Sequence, residues 1–286
     1  MAALQLCKIV DAEVFPVIQV MRKTIIDGSN TSGFQRTALV AQNGSIKTSV
    51  GEVEITNVSL EEDSCKIVTE TAEEKVYSLD RLGIPLIEIG TAPDITSPEQ
   101  CQEVAKKIGM LLRSLPNVKR GLGTIRQDVN VSIKGGARIE IKGAQDLRQL
   151  PLLVKLEVKR QEELLKIRDE LKKVTLPVFH AVEVSSLFVH SIANVIKSTL
   201  AKKGVVLAIK LPGFVGYLGR EVQPGRRLGT EFSDGAKVRA GVGGIFHSDE
   251  LPRYGISESE VSSVKAKLGC AASDAFILVA DFEKKA

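Results

Sequence analysis

The chain contains 286 residues, of which 43% are hydrophobic, 26% charged and 4% aromatic, and its formal net charge is +4. This composition excludes an intrinsically disordered chain, and the length predicts two domains that can each bury a core. No apolar stretch is long enough to predict a membrane span, so no membrane partner is expected. The mild positive charge permits a polyanionic partner without requiring one. Scattered cysteines without a C-x-x-C pair indicate reduced thiols in a cytoplasmic protein.

The first part of the chain is predicted to be rich in β-structure. A polar segment, DGSNTSG, occupies residues 27–33 and predicts a loop. Polar and apolar residues then alternate in short runs between Gln42 and Tyr77, most clearly in residues 51–58. Such alternation is typical of half-buried strands with one face toward solvent.

Two helices are predicted to follow. Ser97 is placed as the N-cap of the first, with Pro98 at the first helical position and Gln100 closing a capping box. This helix should end before Pro116. The second helix is predicted from about residue 151 to residue 173, with one narrow apolar face among alternating charges. Its apolar residues are Leu152, Leu156, Leu164 and Leu171.

A separate α/β domain is predicted beyond a boundary at residues 174–178, where Thr175-Leu176-Pro177 interrupts the helical pattern. The predicted order is a strand at 178–184, a helix at 185–203, a strand at 205–211, a helix from Ser257 to Gly269 and a strand at 275–280. The three histidines, His180, His190 and His247, all belong to this part of the chain. We expect them to pack or to form hydrogen bonds rather than to bind metal.

Residues 121–143 predict a β-hairpin with one polar face. Alternation places the polar side chains of both strands on the same face if the loop is Lys134-Gly135-Gly136. That register pairs Ser132 with Arg138, Asn130 with Glu140, and Asp128 with Lys142, and it adds Arg126 to the same face. This face either is solvated, with charges paired across the strands, or lines a cleft for phosphate and metal.

Two further carboxylate segments stand out. Residues 61–63 are three consecutive acids, and Glu88 lies within the apolar run PLIEI. Because an unpaired buried carboxylate is costly, Glu88 must either point outward from an edge or share a partner such as a divalent cation. Spacing alone leaves both possibilities open.

Five segments carry a family resemblance. They are MRKTIIDGSNTSGFQRT, LEEDSCKIVTE, RLGIPLIEIGTAPDITSP, GLGTIRQDVNVSI and IEIKGAQDL. In these segments the chain resembles the GatB/GatE family of tRNA-dependent amidotransferase subunits, and the archaeal GatE branch more closely than GatB. Later segments are similar to the GAD insertion domain that GatE shares with bacterial-type aspartyl-tRNA synthetases. The resemblance implies an α+β fold, with a β-rich, cradle-like catalytic domain at 1–175 and a GAD-type α/β insertion domain at 176–286.

The resemblance also implies a reaction. GatE proteins use ATP and Mg²⁺ to phosphorylate the glutamate carried by Glu-tRNA(Gln), and ammonia from a GatD-like asparaginase subunit converts it to Gln-tRNA(Gln). A hetero-oligomer is therefore expected. The family's metal-binding acids match Glu61 and Glu88, and Glu140 joins them as a catalytic candidate. The candidates for the nucleotide-facing wall are Arg126, Asp128, Asn130 and Lys142. The loop at 27–33 is expected at the rim of the same cradle.

The chain also departs from the family pattern. Family members begin with a strand carrying a Gly-Leu-Glu-x-His motif, whose histidine completes the metal site, and they end with domains that bind tRNA. Because these segments have no counterpart here, the chain is expected to be an internal fragment of a longer subunit. One alternative is a non-catalytic tRNA-binding module using Lys119, Arg120, Arg126 and Arg138. The other alternative is a relative of the aminoacyl-tRNA synthetases. The absence of a recognisable adenylate-forming core in this sequence counts against it.

Overall fold

The computed structural model describes residues 1–174 and 177–282. Contacts between Cα atoms divide the chain into two compact units, which are described separately below. The first unit contains Met1–Asn130 and Glu140–Lys155, and the second contains Val131–Ile139 and the described residues from Leu156 onward. The predicted boundary between 175 and 176 lies outside the described residues, as do most of the predicted Thr175-Leu176-Pro177 break and the final four residues.

The elements of the chain up to residue 171 are mostly strands. They are α1 (Ala2–Ile9), β1 (Glu13–Val14), β2 (Val20–Thr24), β3 (Phe34–Gln42), β4 (Gly44–Thr48), β5 (Gly51–Glu62), β6 (Lys66–Glu70), β7 (Lys75–Ser78), β8 (Pro85–Thr91), α2 (Pro98–Ser114), β9 (Val129–Val131), β10 (Ile139–Ile141) and α3 (Leu150–Leu171). A six-stranded antiparallel sheet holds β1 to β5 and β8, and the pairs β6–β7 and β9–β10 are separate hairpins. The predicted β-rich opening is confirmed.

Strand β5 is the centre of this sheet because it pairs with β3, β4 and β8. Its inward residues Val53, Ile55 and Val58 are fully buried. Leu6 of α1 and Leu115, which directly follows α2, belong to the same core cluster. Each fully buried side chain of this size contributes roughly 1.5–3 kcal/mol. One face of the sheet therefore supplies the core, which leaves the other face free for polar residues.

Helix α1 has no counterpart among the predicted elements. It is only 8 residues long, and its N-cap Met1 provides no side-chain hydrogen bond. A helix this short is marginal in isolation, so its stability comes from packing rather than from local signals. Leu6 and Cys7 have no exposed surface, so the helix packs against the core through these two side chains.

Helix α2 confirms the predicted helix start at Ser97 and Pro98. The Ser97 hydroxyl accepts a hydrogen bond from the Gln100 backbone N–H at 3.1 Å. The predicted capping box is wrong in one detail, because the Gln100 side chain accepts from the backbone N–H of Thr96, at 2.8 Å, instead of that of Ser97. The helix ends at Ser114, ahead of Pro116 as predicted.

Helix α3 forms where it was predicted, and Leu164 and Leu171 of the predicted stripe pack against an apolar cluster. The N-terminal half of the helix differs from the prediction. Leu152 is 52% exposed, whereas Glu157 and Gln161 are 7% and 4% exposed. Polar side chains tolerate this burial because they are hydrogen-bonded. Glu157 accepts from Arg160 at 2.8 Å, and Gln161 donates to the carbonyl oxygen of Val131 at 3.2 Å.

The second unit contains an antiparallel four-stranded sheet in the order β11-β12-β16-β15. Its elements are β11 (Val182–Glu183), a 3₁₀ turn (Ser185–Phe188), α4 (Asn194–Ala201), β12 (Val205–Leu211), β13 (Glu221–Gln223), β14 (Arg226–Arg227), α5 (Leu228–Ala240), β15 (Phe246–His247), α6 (Glu258–Leu268) and β16 (Ala275–Asp281). The predicted mixed α and β content is confirmed, as are β12, α6 and β16.

Two predicted elements of this unit are wrong. The strand predicted at 178–184 is reduced to Val182–Glu183, and the helix predicted at 185–203 is interrupted between Phe188 and Asn194. The interruption has a local cause, because the buried Ser191 hydroxyl accepts a hydrogen bond from the backbone N–H of Ala193 at 3.3 Å. Serine side chains that bond nearby backbone groups in this way compete with helical hydrogen bonding.

Strand β16 is buried on both faces. Phe276 and Leu278 belong to one apolar cluster, and Ala275 and Ile277 belong to another on the opposite face. A continuous apolar run is typical of such a strand. Within residues 1–174 and 177–282, no helix has both the length and the apolar character needed to cross a membrane.

Candidate active site

Strand pairing places Glu61 and Glu88 on the same face of the six-stranded sheet. Glu61 of β5 pairs with Thr37 of β3, and Glu88 of β8 pairs with Ser59 of β5. Directly paired residues share a face, and so do residues two apart along one strand. Glu61 and Glu88 are therefore diagonal neighbours across β5 and β8.

The surroundings of Glu88 raise its pKa. Partial desolvation raises the pKa of Glu88, and the neighbouring Glu61 carboxylate raises it further, whereas Lys23 lowers it. Glu88 nevertheless remains exposed to solvent. The Thr37 hydroxyl donates a hydrogen bond to Glu61 Oε1 at 3.0 Å, which orients one of the two acids.

This set of oxygen donors fits a hard divalent cation. Mg²⁺ prefers carboxylate oxygens and usually keeps several water ligands, so two acids suffice. A cation between Glu61 and Glu88 would also relieve the repulsion from Glu61, which adds to the effect of desolvation on the Glu88 pKa. Among the described residues, no group of three or more His, Cys, Asp or Glu side chains converges as a metal site. A cation bound by Glu61 and Glu88 would therefore take its remaining ligands from water or from substrate oxygens.

A cleft of about 380 Å³ opens beside Glu61. Its lining residues are Gln35, Glu61, Asp63, Ser64, Cys65, Lys66, Arg81, Leu86 and Arg126. Two of them, Glu61 and Arg126, are predicted site residues. The other seven were not predicted as site residues, and they include Asp63 of the acidic run at 61–63 and the cations Lys66 and Arg81.

Asp63 joins two arginines at this cleft. Arg81 donates to Asp63 Oδ2 through Nε at 3.0 Å and through Nη2 at 2.7 Å. Arg126 Nη2 donates to the other oxygen, Oδ1, at 3.4 Å. The sequence did contain a pattern that points to Asp63, which directly follows β5. The alternation of an extended strand places residues 61 and 63 on one side and residue 62 on the other. No sequence pattern pointed to Arg81, which the tertiary fold brings to the cleft.

The polar hairpin holds a second group of predicted residues. Burial alternates along it as predicted, with Arg126, Asp128 and Asn130 exposed and the residues between them partly buried. The strands are shorter than predicted, covering only Val129–Val131 and Ile139–Ile141. The structure therefore confirms the face but leaves Ser132 and Arg138 outside the ladder.

Three of the hairpin candidates are paired with one another. Lys142 Nζ lies 3.1 Å from Glu140 and 3.6 Å from Asp128. Asp128 Oδ1 also accepts a hydrogen bond from the Gly143 backbone N–H at 2.8 Å. Such pairing is expected of a solvated sheet face. The wall of a binding cleft can carry paired charges of the same kind. Asn130 is exposed on the same hairpin.

The loop at 27–33 is organised by its own polar side chains. Asp27 accepts a hydrogen bond from the Ser29 backbone N–H at 2.9 Å, and the buried Asn30 accepts from the Ser32 hydroxyl at 2.7 Å. The Ser29 carbonyl oxygen in turn accepts from the backbone N–H of Cys65 at 2.8 Å. Because Cys65 lines the cleft, the loop lies against a cleft segment. The seven residues of the loop, five polar residues and two glycines, thus form turns beside the cleft.

The sequence comparisons define the class of protein. The family described as the GatB/GatE catalytic domain matches residues 1–234, and the GAD domain matches residues 196–286. The chain belongs to the GatB/GatE family, as its motifs predicted.

The curated relatives narrow the similarity to one type of subunit. The chain is 53% identical over 284 residues to the E subunit of glutamyl-tRNA(Gln) amidotransferase from Methanococcus maripaludis strain C7. It is 53% identical over 285 residues to the corresponding protein from Methanocaldococcus jannaschii, and 54% identical over 288 residues to that from Pyrococcus abyssi. Each alignment covers 99% of this chain and 45% of the relative, so the chain spans less than half the length of these proteins.

Proposed function

We propose that this chain carries the carboxyl-activating site of a tRNA-dependent amidotransferase. In this proposal ATP phosphorylates the side-chain carboxyl of the glutamate on Glu-tRNA(Gln), and ammonia then displaces the phosphate to give Gln-tRNA(Gln). The observation that carries the proposal is the pair Glu61 and Glu88 on one sheet face, with Glu61 also lining a cationic cleft. The names of the relatives support the same substrate.

The chemistry explains why such a site is needed. Ammonia cannot readily displace an oxide from a carboxylate, whereas the phosphate of an acyl phosphate is a good leaving group. Glu61 and Glu88 would hold Mg²⁺, which when bound screens the charge on phosphate oxygens. Arg126 faces the same cleft with its guanidinium, which suits phosphate oxygens.

The hairpin residues are proposed as a further wall of the site. Glu140 raises the pKa of Lys142, and Asp128 adds to this effect, because both carboxylates lie close to its ammonium group. Asp128 and Asn130 present oxygen atoms that suit water or a cation. Glu140 is proposed as the catalytic carboxylate of this group, resting on its motif position and on the shared polar face.

The proposal also includes partners. A subunit of an amidotransferase needs a source of ammonia, and we propose a GatD-like asparaginase subunit in a hetero-oligomer. The relatives are named as subunits, which supports an assembly.

A non-catalytic tRNA-binding module is the second candidate. Lys119, Arg120 and Arg138 are all exposed, which favours contacts with phosphates of a nucleic acid. The two candidates differ in their need for Mg²⁺ and for the paired acids.

The test makes two measurements on the purified chain. Electron paramagnetic resonance measures binding of Mn²⁺, a spectroscopic substitute for Mg²⁺. A second assay measures ATP turnover in the presence of Glu-tRNA(Gln) and the GatD-like subunit. Glu61→Gln and Glu88→Gln should each weaken Mn²⁺ binding by at least about tenfold and abolish turnover. Glu62→Gln is the matched control, because Glu62 is adjacent in sequence and pairs with Arg36 at 2.7 Å on the opposite face.

The outcomes separate the two candidates. Loss of Mn²⁺ binding in both acid variants, but not in Glu62→Gln, supports the activating site. Mn²⁺ binding and turnover that are unchanged in Glu61→Gln and Glu88→Gln would overturn it. RNA binding without any Mn²⁺ site would favour the tRNA-binding module.

A further inference from the structure

The cluster of Asp63, Arg81, Arg126 and Lys66 lies in the cleft beside the paired acids, and the site described above assigns a role only to Arg126. Positive side chains outnumber negative ones in this cluster. One carboxylate faces two guanidinium groups, and Lys66 adds a third positive charge to the same cleft. Glu61 is a second carboxylate in the cleft, and the three cations still leave a net positive charge for an anion.

The geometry leaves donors free for that anion. Both contacts from Arg81 end on a single oxygen of Asp63, and Arg126 uses only one nitrogen for its contact. Each guanidinium has five N–H donors. The Arg81 and Arg126 side chains remain 41% and 47% exposed, whereas that of Asp63 is only 11% exposed. The arginines can thus bind a ligand from the cleft while the carboxylate stays behind them.

Asp63 is itself held firmly enough to position both arginines. Its backbone N–H donates to the carbonyl oxygen of Ile84 at 2.8 Å, and its own carbonyl accepts from the N–H of Gly83 at 3.0 Å. The Ser64 N–H donates to Asp63 Oδ1 at 3.0 Å. These bonds join the end of β5 to the loop that carries Arg81. A fixed carboxylate of this kind restricts the rotamers of the flexible side chains that bind it.

We propose that Asp63 is a positioning residue that holds Arg81 and Arg126 as a clamp for neighbouring phosphate groups of a nucleoside triphosphate. The inference rests on the proposed function and adds to it the residues that bind the phosphates. Lys66 provides a further cation at the same cleft.

A nucleotide fits this cluster better than an RNA backbone does. The cations line a concave cleft of about 380 Å³, within the range of small-molecule sites. The two arginines converge on one carboxylate, so their free donors are close enough to serve adjacent phosphates. Glu61, which is proposed to hold the cation, lines the same cleft.

The experiment measures binding of inorganic tripolyphosphate to the purified chain by titration calorimetry, with ATP and a short single-stranded RNA in separate arms. Asp63→Asn should weaken tripolyphosphate binding by about tenfold, although it removes a negative charge. Arg81→Lys should weaken it similarly, because lysine keeps the charge but loses the planar fork. Glu62→Gln is again the matched control and should change the affinity by less than twofold.

Positioning and simple charge neutralisation predict opposite signs. If Asp63 only neutralised the arginines, its removal would strengthen anion binding, and that result would overturn the proposal. Mn²⁺ affinity and the unfolding temperature are followed in parallel, and both should stay unchanged in Arg81→Lys. If Asp63→Asn does not fold, the exposed Arg81→Lys variant supplies the decisive affinity, and unchanged tripolyphosphate binding in it overturns the clamp.

The remaining outcomes separate this proposal from the proposed function. Tripolyphosphate binding that depends on Asp63 and Arg81, without ATP turnover under any condition, supports the clamp and counts against the activating site. ATP turnover that is insensitive to Asp63→Asn and Arg81→Lys supports the activating site and overturns the clamp. RNA that binds more tightly than tripolyphosphate, with the same dependence on the two residues, overturns the nucleotide assignment.

Discussion

Gly229 lies directly against His247 in the second unit. A Cβ atom at position 229 would be 2.3 Å from His247 Nε2, and it would also approach the backbone oxygen of Leu218 at 3.1 Å. The Gly229 N–H donates to that same oxygen at 2.8 Å, so the backbone has little freedom to move away. A side chain at position 229 would therefore force His247 or the start of α5 to shift.

Gly229→Ala is therefore expected to destabilise the second unit by about 1–3 kcal/mol through overpacking. Gly235→Ala provides a matched control in the same helix, because no atom lies within 4 Å of its added Cβ. That variant should gain stability, by up to about 1 kcal/mol, from helix propensity. Urea unfolding followed by circular dichroism measures both. Equal stability of the two variants would contradict the steric argument.

His247 should make the stability of the second unit depend on pH. Burial lowers its pKa, Arg227 lowers it further, and Glu250 and Asp249 only partly oppose this change. Because the unfolded chain binds the proton more tightly, the stabilisation is complete above the ordinary pKa of about 6.5 and is lost as the pH falls through the folded value.

His247→Gln tests this pH dependence by removing the titrating group. The free energy of unfolding of the natural chain should fall between pH 7.5 and pH 5.5, and that of the variant should fall less over the same interval. Parallel curves for the two proteins would show that another group titrates. The comparison of slopes is informative even if glutamine lowers the stability at both pH values.

Arg160 should be important for anchoring helix α3 within the second unit. It lies 2.8 Å from Glu157 and 2.9 Å from Glu231, and all three side chains are at most 22% exposed. Arg160→Ala leaves Glu157 buried without its cation, so we expect a loss of about 3–5 kcal/mol. Arg168→Ala, on the exposed side of the same helix, should cost no more than about 1 kcal/mol. Thermal unfolding of the two variants measures the loss of stability in each. Similar losses in Arg160→Ala and Arg168→Ala would contradict the prediction.

Thr37 should tune the paired acids without binding metal itself. Thr37→Val removes the hydroxyl that donates to Glu61 Oε1 but keeps the side-chain shape. We expect Mn²⁺ affinity to fall by about tenfold, as is usual when an outer hydrogen bond to a ligand is lost. Thr56→Val serves as the control, because that hydroxyl contacts Asn57 and the Gly90 carbonyl oxygen instead. No change in Thr37→Val would show that Glu61 needs no such support.

Much of the fold could be read from short segments of sequence. Helix α6 forms at its predicted position, and the structure shows Ser257 and Glu260 bonding reciprocally as a capping box and Gly269 in the left-handed conformation. The Ser97 cap, strands β12 and β16 and the alternating face of the hairpin were also predicted. These features depend on residues within a few positions of one another, so the local sequence contains the whole signal.

The contacts of the candidate site required the tertiary structure. Glu61 and Glu88 were identified from their motifs, but only the register of β5 with β8 makes them neighbours. Asp63 and Arg81 are 18 positions apart, and no periodic pattern predicts their contact. The buried polar face of α3 escaped prediction for the same reason, since Glu157 can be buried only where Arg160 reaches it. The sequence by itself determined which local elements form and which residue types they carry. The tertiary structure decided which charges meet, because strand register and long-range packing bring distant residues together.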